Sequence, residues 1–236
     1  MIAEMHDWPP LGYDLGVFYL CHPMPADRTT FLIDGFNLYH SVIEASKDLG
    51  GASTKWLNIR TLCESYLYLF GKNNTAEEFY YFSALAYHKV PKDPDTVARH
   101  LRFVDCLKDT GFKVELARFK EKQVWCAGCK HFQTRHEEKE TDVAVAVKLV
   151  ELFVQDKCDT AILMTGDTDI APAVRFVRQN YPTKRVGFLF PYKRMNQELK
   201  NLGFGYKISK EQYQRHQFPP TVKLIDGSTR TKPATW

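Results

Sequence analysis

The sequence has none of the features of a membrane-spanning or exported chain. No segment approaches about 18 consecutive apolar residues, the length that a transmembrane helix needs. The stretch before Arg28 has neither a basic start nor a long apolar core, so we expect no secretory signal. Internal repeats and low-complexity tracts are also absent from the sequence. We therefore expect no membrane partner.

Cysteine is scarce, with six residues in a chain of 236, and four of them stand alone in the sequence. A chain of this length can bury a hydrophobic core without covalent cross-links. Isolated cysteines in such a chain are typical of reduced thiols inside cells rather than of a disulfide scaffold. This pattern predicts a cytoplasmic protein.

Neither sign of charge is in large excess. The 32 Lys and Arg residues against 28 Asp and Glu residues give a formal net charge of +4. This excess is too small to indicate a nucleic-acid partner by itself. The hydrophobic fraction of 44% and the charged fraction of 25% are ordinary for a globular protein, and they exclude a disordered or collagen-like chain.

Strand-like and helix-like segments alternate from residue 29 onwards. Short apolar runs at residues 30–33, 160–165 and 185–190 predict buried strands, and the apolar spacing over 141–154 predicts a helix. Largely apolar strands that alternate with helices are typical of a parallel sheet covered on both faces. The pattern therefore predicts an α/β fold with a mainly parallel central sheet flanked by helices.

The rhythm of the pattern also suggests where the chain divides. We expect an N-terminal arm at residues 1–28, one domain over 29–212, and a C-terminal tail at 213–236. Residues 120–139 interrupt the rhythm with a charged stretch that contains cysteine and histidine. We interpret this stretch as an insertion in the domain.

Aspartates follow the predicted strands, at the edge where sheets of this kind place their sites. Asp34 follows the first apolar run, Asp167 and Asp169 follow another, and Asp142 lies at the start of a helix. Because ligands bind at the carboxyl ends of parallel strands, we expect these side chains to converge. Converging carboxylates repel one another unless a cation is bound, and Mg²⁺ or Mn²⁺ prefers such oxygen ligands. A metal site of this type can activate water and stabilise charge on a phosphodiester.

Each of these aspartates also has a purely structural interpretation. Asp142 and Asp169 could each cap a helix N-terminus. Asp34, which is followed by Gly35, could simply be a turn residue. From the residue pattern alone, the metal site and the structural interpretation both stay open.

Three sequence motifs, in this order and spacing, resemble the NYN domain, a branch of the PIN-like ribonuclease group, and in particular its LabA-like subgroup. They read FLIDGFNL from Phe31, ETDVAVA from Glu140 and MTGDTDIAP from Met164. The resemblance covers about residues 29–212. It implies a PIN-like three-layer α/β fold and a Mg²⁺- or Mn²⁺-dependent endoribonuclease that hydrolyses single-stranded RNA.

The resemblance also implies roles for individual residues. It makes four aspartates the catalytic metal ligands, namely Asp34, Asp142, Asp167 and Asp169. Asn37 would orient the Asp34 carboxylate or touch the phosphate. Thr165, just before the Gly-Asp turn, would contact a phosphate or a water molecule.

Positive charge beside the acids would offset their repulsion of an RNA backbone. Lys193 and Arg194 follow a predicted strand at the same sheet edge, and Lys139 lies beside the second motif. Aromatic residues could stack on unpaired bases, the candidates being Phe36, Tyr39 and Tyr192. The alternative is that these basic side chains only solvate the surface and that Phe36 or Tyr39 belongs to the core.

One cysteine pair has metal-binding spacing. Cys126-Ala-Gly-Cys129 matches one half of a structural zinc site. His131 and His136 are the candidates to complete the set, although a single residue between Cys129 and His131 is shorter than in a common zinc finger. A redox pair or two inert thiols are the alternatives.

Two further function classes compete with the nuclease. A catalytically weak or inactive NYN domain would act as an RNA-binding or regulatory adaptor. A haloacid-dehalogenase-type phosphatase would need Asp-x-Asp after the first strand, and residue 36 is phenylalanine instead. Because PIN-like folds often dimerise, we also expect a homodimer.

Overall fold

A computed structural model describes residues 27–236 of the chain. Within this range seven strands form one sheet in the order β4-β3-β2-β1-β5-β6-β7. Their bounds are β1 (Asp27–Asp34), β2 (Asn74–Ala84), β3 (Phe112–Cys126), β4 (His131–Lys139), β5 (Thr160–Met164), β6 (Arg185–Phe190) and β7 (Phe204–Lys207). The seven helices in the same range are α1 (Gly35–Asp48), α2 (Ile59–Phe70), α3 (Thr96–Asp109), α4 (Thr141–Val154), α5 (Ala171–Asn180), α6 (Gln197–Leu202) and α7 (Lys210–Arg215).

The order of the strands reverses at the centre of the sheet. The chain runs outward from β1 through β2 and β3 to β4, and then returns to place β5 on the other side of β1. All pairs in this sheet are parallel except β3 with β4, which are antiparallel. Ligand sites of open α/β sheets lie at such a switch point, outside the carboxyl ends of the strands. Here the switch point lies between β1 and β5.

Two hydrophobic cores cover the two faces of the sheet. Phe31 and Ile33 of β1 face the core formed with α1, α2 and α3. Leu32, between them, faces the core formed with α4 and α5. Successive strand side chains point to opposite faces, so a continuous apolar run is what a strand buried on both faces requires. The structure confirms the predicted α/β fold, in three layers, with helices on both sides of a mainly parallel sheet.

The segment predicted as an insertion is a regular β-ribbon. Strand β3 continues past the sheet to Cys126, and β4 returns antiparallel to it from His131. Most of its side chains are exposed, including Trp125 and Phe132 near the tip. An apolar pattern could not reveal these strands, because neither face of the ribbon is buried.

The structure describes the predicted C-terminal tail but only the last two residues of the predicted N-terminal arm. The predicted arm, 1–28, lies outside the described residues except for Asp27 and Arg28, which begin β1. The predicted tail, 213–236, packs onto the domain and includes a small hairpin of β8 (Thr221–Lys223) and β9 (Thr229–Thr231). Tyr213, Phe218 and Leu224 are buried in the core on the α1 side. Within residues 27–236 no helix combines the length and the apolar character needed to cross a membrane.

Tyr213 joins this C-terminal segment to the loop that follows β6. Its hydroxyl group lies 2.9 Å from the Ser41 hydroxyl and accepts a hydrogen bond from the Tyr192 backbone N–H at 3.1 Å. Ser41 in turn donates to the Tyr192 carbonyl oxygen at 2.8 Å. The tyrosine is fully buried, so the loss of its hydroxyl would leave the Tyr192 N–H without its partner.

We expect Tyr213→Phe to lower the free energy of unfolding by about 1–3 kcal/mol, the cost of a buried donor left unsatisfied. Urea denaturation followed by circular dichroism measures this change. Tyr68→Phe is the matched control, because Tyr68 is exposed and its change should stay within about 0.5 kcal/mol. Equal stability of the two variants would contradict the anchoring role of Tyr213.

Candidate active site

Asp34 lies at the carboxyl end of β1, where its two oxygens are held by different elements. One oxygen caps α1 by accepting the backbone N–H of Asn37 at 2.9 Å. The other accepts the hydroxyl of Thr165 at 2.8 Å, across the switch point. The side chain is 5% exposed, and burial raises the pKa of Asp34 to about 7 despite these two hydrogen bonds. Asp34 is therefore both a helix cap and a buried, oriented carboxylate.

A chain of hydrogen bonds links the first and third motifs. The Thr165 hydroxyl accepts the N–H of Asp167 at 3.0 Å, and an Asp167 oxygen accepts the N–H of Asp169 at 3.1 Å. The side-chain oxygen of Asn37 accepts the N–H of Gly166 at 3.1 Å. Since the Thr165 hydrogen points at Asp34 and the residue is buried, this geometry favours a positioning role for Thr165 over the expected phosphate contact.

Residue 166 must be glycine because the backbone of another loop packs closely against it. A Cβ at Gly166 would collide with the carbonyl oxygen of Arg194. The loop after β6 therefore lies directly against the aspartate turn. This contact places Lys193 and Arg194 at the same sheet edge as the acids, as the sequence predicted.

Asp142 lies in the first turn of α4 and, among the described residues, its side chain caps nothing. The residue that precedes the helix is Glu140, which has a left-handed φ of 80° and forms no side-chain cap. The pKa of Asp142 is raised first by burial and then by the charges of Asp167 and Asp169. The capping interpretation therefore does not hold for Asp142, whose carboxylate feels the charges of the other two.

Glu138, on β4, joins the acidic group and was missed by the sequence reasoning. It accepts the Thr141 hydroxyl at 2.6 Å, and burial together with Asp142 raises its pKa. Asp34 also feels the charges of Glu138 and Asp142. Glu138 lies two residues before the second motif, but only the return of the ribbon brings it to the site. The signal was its place in the run EEKETD, which alone does not distinguish it from Glu137 or Glu140.

The acidic group fits a hard divalent cation by the chemistry of its donors. All of them are carboxylate oxygens, and burial first and then neighbouring carboxylates raise the pKa values of Asp34, Glu138 and Asp142. In the described part of the chain, no three acidic, histidine or cysteine side chains stand close enough to form a ready metal shell. Mg²⁺ commonly binds through one or two carboxylates and keeps several waters. The arrangement therefore fits a partly hydrated ion.

The basic residues beside this group are paired with local acids. Lys193 lies 2.5 Å from Asp48, and Arg194 lies 2.8 Å from Glu44, both acids being on α1. Lys139 lies 2.9 Å from Glu137, and the Tyr192 hydroxyl donates to Asp48 at 2.9 Å. The charges of the three basic residues and the hydroxyl of Tyr192 are therefore engaged within the protein, and their contact with RNA stays a prediction.

The four candidate zinc ligands are not brought together. Cys126 and Cys129 flank the turn of the ribbon, and His131 pairs with Cys126. His136 pairs with Glu121, five residue pairs further from the turn, and its ring stacks on His88 at 4.4 Å between centroids. The predicted Cys₂His₂ zinc site is therefore wrong, because the antiparallel register separates His136 from the cysteines. Hydrogen bonds from the turn lower the pKa of Cys126.

A cavity of about 400 Å³ opens beside Asp34, on the side of α1 and α3. Gly35, which directly follows Asp34, and Tyr81 are among the residues that line it. A Cβ at Gly35 would overlap the Tyr81 ring, so glycine is needed there as well. The cavity is of the size that small ligands occupy in proteins.

Comparisons with known proteins agree with this architecture. The family model described as the NYN domain matches residues 28–203, more than half of the chain. The curated protein 6-hydroxy-3-succinoylpyridine 3-monooxygenase HspA of Pseudomonas putida (strain DSM 28022 / S16) is 24% identical over 197 residues. The match covers 72% of this chain and 61% of that protein, so the chain spans less than two thirds of its length.

A solved structure supports the fold alone. It is the crystal structure of a protein of unknown function from Vibrio parahaemolyticus RIMD 2210633, similar with a TM-score of 0.53 and 18% identity. The similarity covers 78% of this chain and 94% of that one.

We expect Mn²⁺ to raise the melting temperature, because it would screen carboxylates that repel one another. At a concentration of about 100 times Kd, a ligand stabilises the folded state by about 2.7 kcal/mol, which corresponds to roughly 5–10 °C for a domain of this size. Asp142→Asn should raise the melting temperature in EDTA and reduce the gain from Mn²⁺. Asp95→Asn, an exposed acid outside the group, is the control for thermal denaturation. An equal gain from Mn²⁺ in both variants would refute a metal site at Asp142.

Proposed function

Because the chain belongs to the NYN domain family, which is related to PIN-like nucleases, we propose that it is a metal-dependent endoribonuclease. The proposed reaction is hydrolysis of phosphodiester bonds in single-stranded RNA at the carboxyl edge of the sheet. NYN domains are generally nuclease-like hydrolases that use divalent metal ions. The identity of the ion as Mg²⁺ or Mn²⁺ and the preference for single strands are parts of this proposal.

The observation that carries the proposal is the fixed carboxylate of Asp34 at the switch point. Its two oxygens are oriented by Asn37 and Thr165, and further acids face it from β4 and α4. Burying a carboxylate among others is costly unless a cation compensates it. An acid that only capped a helix would gain nothing from such neighbours.

The residues of the chain would divide the work of hydrolysis as follows. Asp34, Asp142, Asp167 and Asp169 would hold the divalent ion, which, when bound, supplies an activated water and offsets charge on the phosphate. Thr165 and Asn37 orient Asp34 and the Asp167 turn. No side-chain nucleophile is needed. The acids repel the RNA phosphate except where the bound cation would compensate their charge.

Positive charge for the RNA backbone would come from ion pairs that exchange partners. The pair of Lys193 with Asp48 is exposed, with half of the Lys193 side chain open to solvent, and exposed ion pairs contribute little to stability. A phosphate could therefore replace the carboxylate at little cost. The same reasoning applies to Lys139, whereas Tyr192 would have to release Asp48 before it stacked on a base.

A second candidate function is an enzyme that acts on a small aromatic molecule. It is favoured by the cavity beside Asp34 together with the name of the Pseudomonas putida relative, which is a monooxygenase of a substituted pyridine. The RNA-binding adaptor is a further alternative. RNA binding without cleavage under Mg²⁺ or Mn²⁺ would favour the adaptor, and neither binding nor cleavage would favour the small-molecule enzyme.

Three finer expectations stay predictions. They are the LabA-like subgroup, the cytoplasmic location and the homodimer. Size-exclusion chromatography with light scattering measures the last of these directly. Exposed valines on α4, such as Val143 and Val147, are the apolar side chains that a partner would cover.

We expect Asp34→Asn to reduce cleavage of labelled single-stranded RNA at least about 100-fold, because a preorganised charge at the reaction centre is worth this much or more. Initial rates in Mn²⁺ with highly purified protein measure the effect. Asp95→Asn serves again as the control and should cleave at the wild-type rate. Wild-type cleavage by Asp34→Asn, with circular dichroism spectra unchanged, would refute the assignment.

We expect Thr165→Val to reduce the same rate by roughly 10–100-fold, the usual cost of losing a residue that orients a metal ligand. The substitution removes the hydroxyl that donates to Asp34 but preserves the shape of the side chain. Thr165→Ser keeps the hydroxyl and should recover most of the rate. If Ser and Val variants are equally slow, the hydroxyl is not what positions Asp34.

A further inference from the structure

The cavity beside Asp34 lies between the first turns of α1 and α3. It is lined on the α1 side by Phe36 and Tyr39 and on the α3 side by Arg99 and Phe103. Gly35 also lines it and directly follows Asp34. A ligand that contacts Gly35 would therefore lie next to the acidic site.

Part of the cavity wall is aromatic. Trp236 contributes from the C-terminal segment and packs edge-on against Phe103, with 5.9 Å between ring centroids. At the opening, Phe36 and Tyr39 are 40% and 44% exposed. Aromatic faces that are open to a cavity bind planar rings by stacking, and base stacking of this kind tolerates any of the four bases.

Among the charged side chains that line the cavity, cations outnumber acids. Lys55, Lys89 and Arg99 line it, and Asp93 is the single acid in the lining. Asp93 is ion-paired with Arg99, whereas Lys55 and Lys89 have no ion-pair partner among residues 27–236. Lys55 lies near Arg99, and both burial and this neighbouring charge lower its pKa. An anionic group on the ligand would relieve this repulsion.

We propose that the cavity binds a nucleoside monophosphate unit, with the base against the aromatic wall and the phosphate at Lys55 and Arg99. In an RNA substrate this unit is the nucleotide that adjoins the scissile phosphate, and in this form the inference rests on the proposed function. A free mononucleotide offers the same chemistry. A planar ring and a phosphate in one ligand match both properties of the cavity, whereas an uncharged ring or inorganic phosphate alone matches only one.

Calorimetric titration of the full chain with AMP, UMP, CMP and GMP tests the proposal. We expect binding of each nucleotide, and at least about tenfold weaker binding of ribose 5-phosphate and of uridine, since each lacks one of the two groups. Lys55→Gln should weaken binding of the nucleotides about tenfold, the factor for one charge-assisted hydrogen bond. Lys72→Gln, an exposed lysine before β2 at the opposite edge of the sheet, should leave it unchanged.

The aromatic wall is tested separately. Tyr39→Leu should weaken nucleotide binding several-fold, whereas Tyr39→Phe keeps the ring and should bind as the wild type does. Equal binding by all three proteins, or binding of uridine as tight as that of UMP, would overturn the proposed placement of base and phosphate.

Two measurements separate this inference from the proposed function. Asp34→Asn should still bind mononucleotides although it no longer cleaves RNA, and Lys55→Gln should raise the KM for RNA about tenfold with little change in kcat. If the wild type cleaves RNA but binds no mononucleotide at millimolar concentration and Lys55→Gln has a normal KM, the cavity proposal is refuted while the nuclease stands. If mononucleotides bind as expected but no RNA is cleaved, the nuclease proposal is refuted and the free mononucleotide is the ligand.

Discussion

The hydrogen bond from Thr165 to Asp34 joins the carboxyl ends of β1 and β5, the two parallel strands between which the order of the strands reverses. It fixes a buried carboxylate at the only place where the ends of β1 and β5 meet, and the same hydroxyl receives the backbone of Asp167. Gly166, between these two residues, has no side chain because the Arg194 carbonyl packs against it. The hydrogen bonds of Thr165 and the close packing at Gly166 therefore position the aspartate turn, the loop after β6 and the start of α1 relative to one another. A change at Thr165 would alter all three, although Thr165 itself faces no solvent.

The sequence predicted the acids of this site because the physical rules that place them are local. Asp34 and Asp167 follow runs that must be strands, and strand ends of a parallel sheet share an edge. Glu138 could not be found in this way. It reaches the site because β4 returns along β3 without any apolar pattern, and register in an exposed ribbon is not set by a buried face. The same register separates His136 from Cys126, which spacing along the chain alone did not reveal.

The C-terminal segment shows a different limit of the sequence. Its prolines and glycine indicated a tail, but Tyr213, Phe218 and Leu224 are single apolar residues that each fill a position in an existing core. Such isolated insertions have no period, so no pattern of 2 or 3.6 residues can detect them. Trp236 extends this packing to the wall of the cavity. The cavity thus depends on residues separated by 200 positions in the chain, from Phe36 to Trp236, and only the folded structure brings them together.

The near balance of positive and negative charge can be interpreted once the charges are located in the structure. Acids gather at the switch point, where burial and then neighbouring carboxylates raise the pKa values of Asp34 and Asp142, while Lys55 and Lys89 line the adjoining cavity without an ion-pair partner among the described residues. Among the described residues no ion pair joins the two groups, although Gly35, which directly follows Asp34, lines the cavity. Each therefore retains the capacity to bind an ion of opposite sign, a cation on one side and an anion on the other. A phosphate ester that carries both a base and a neighbouring scissile bond is the kind of molecule that would engage both sides at once.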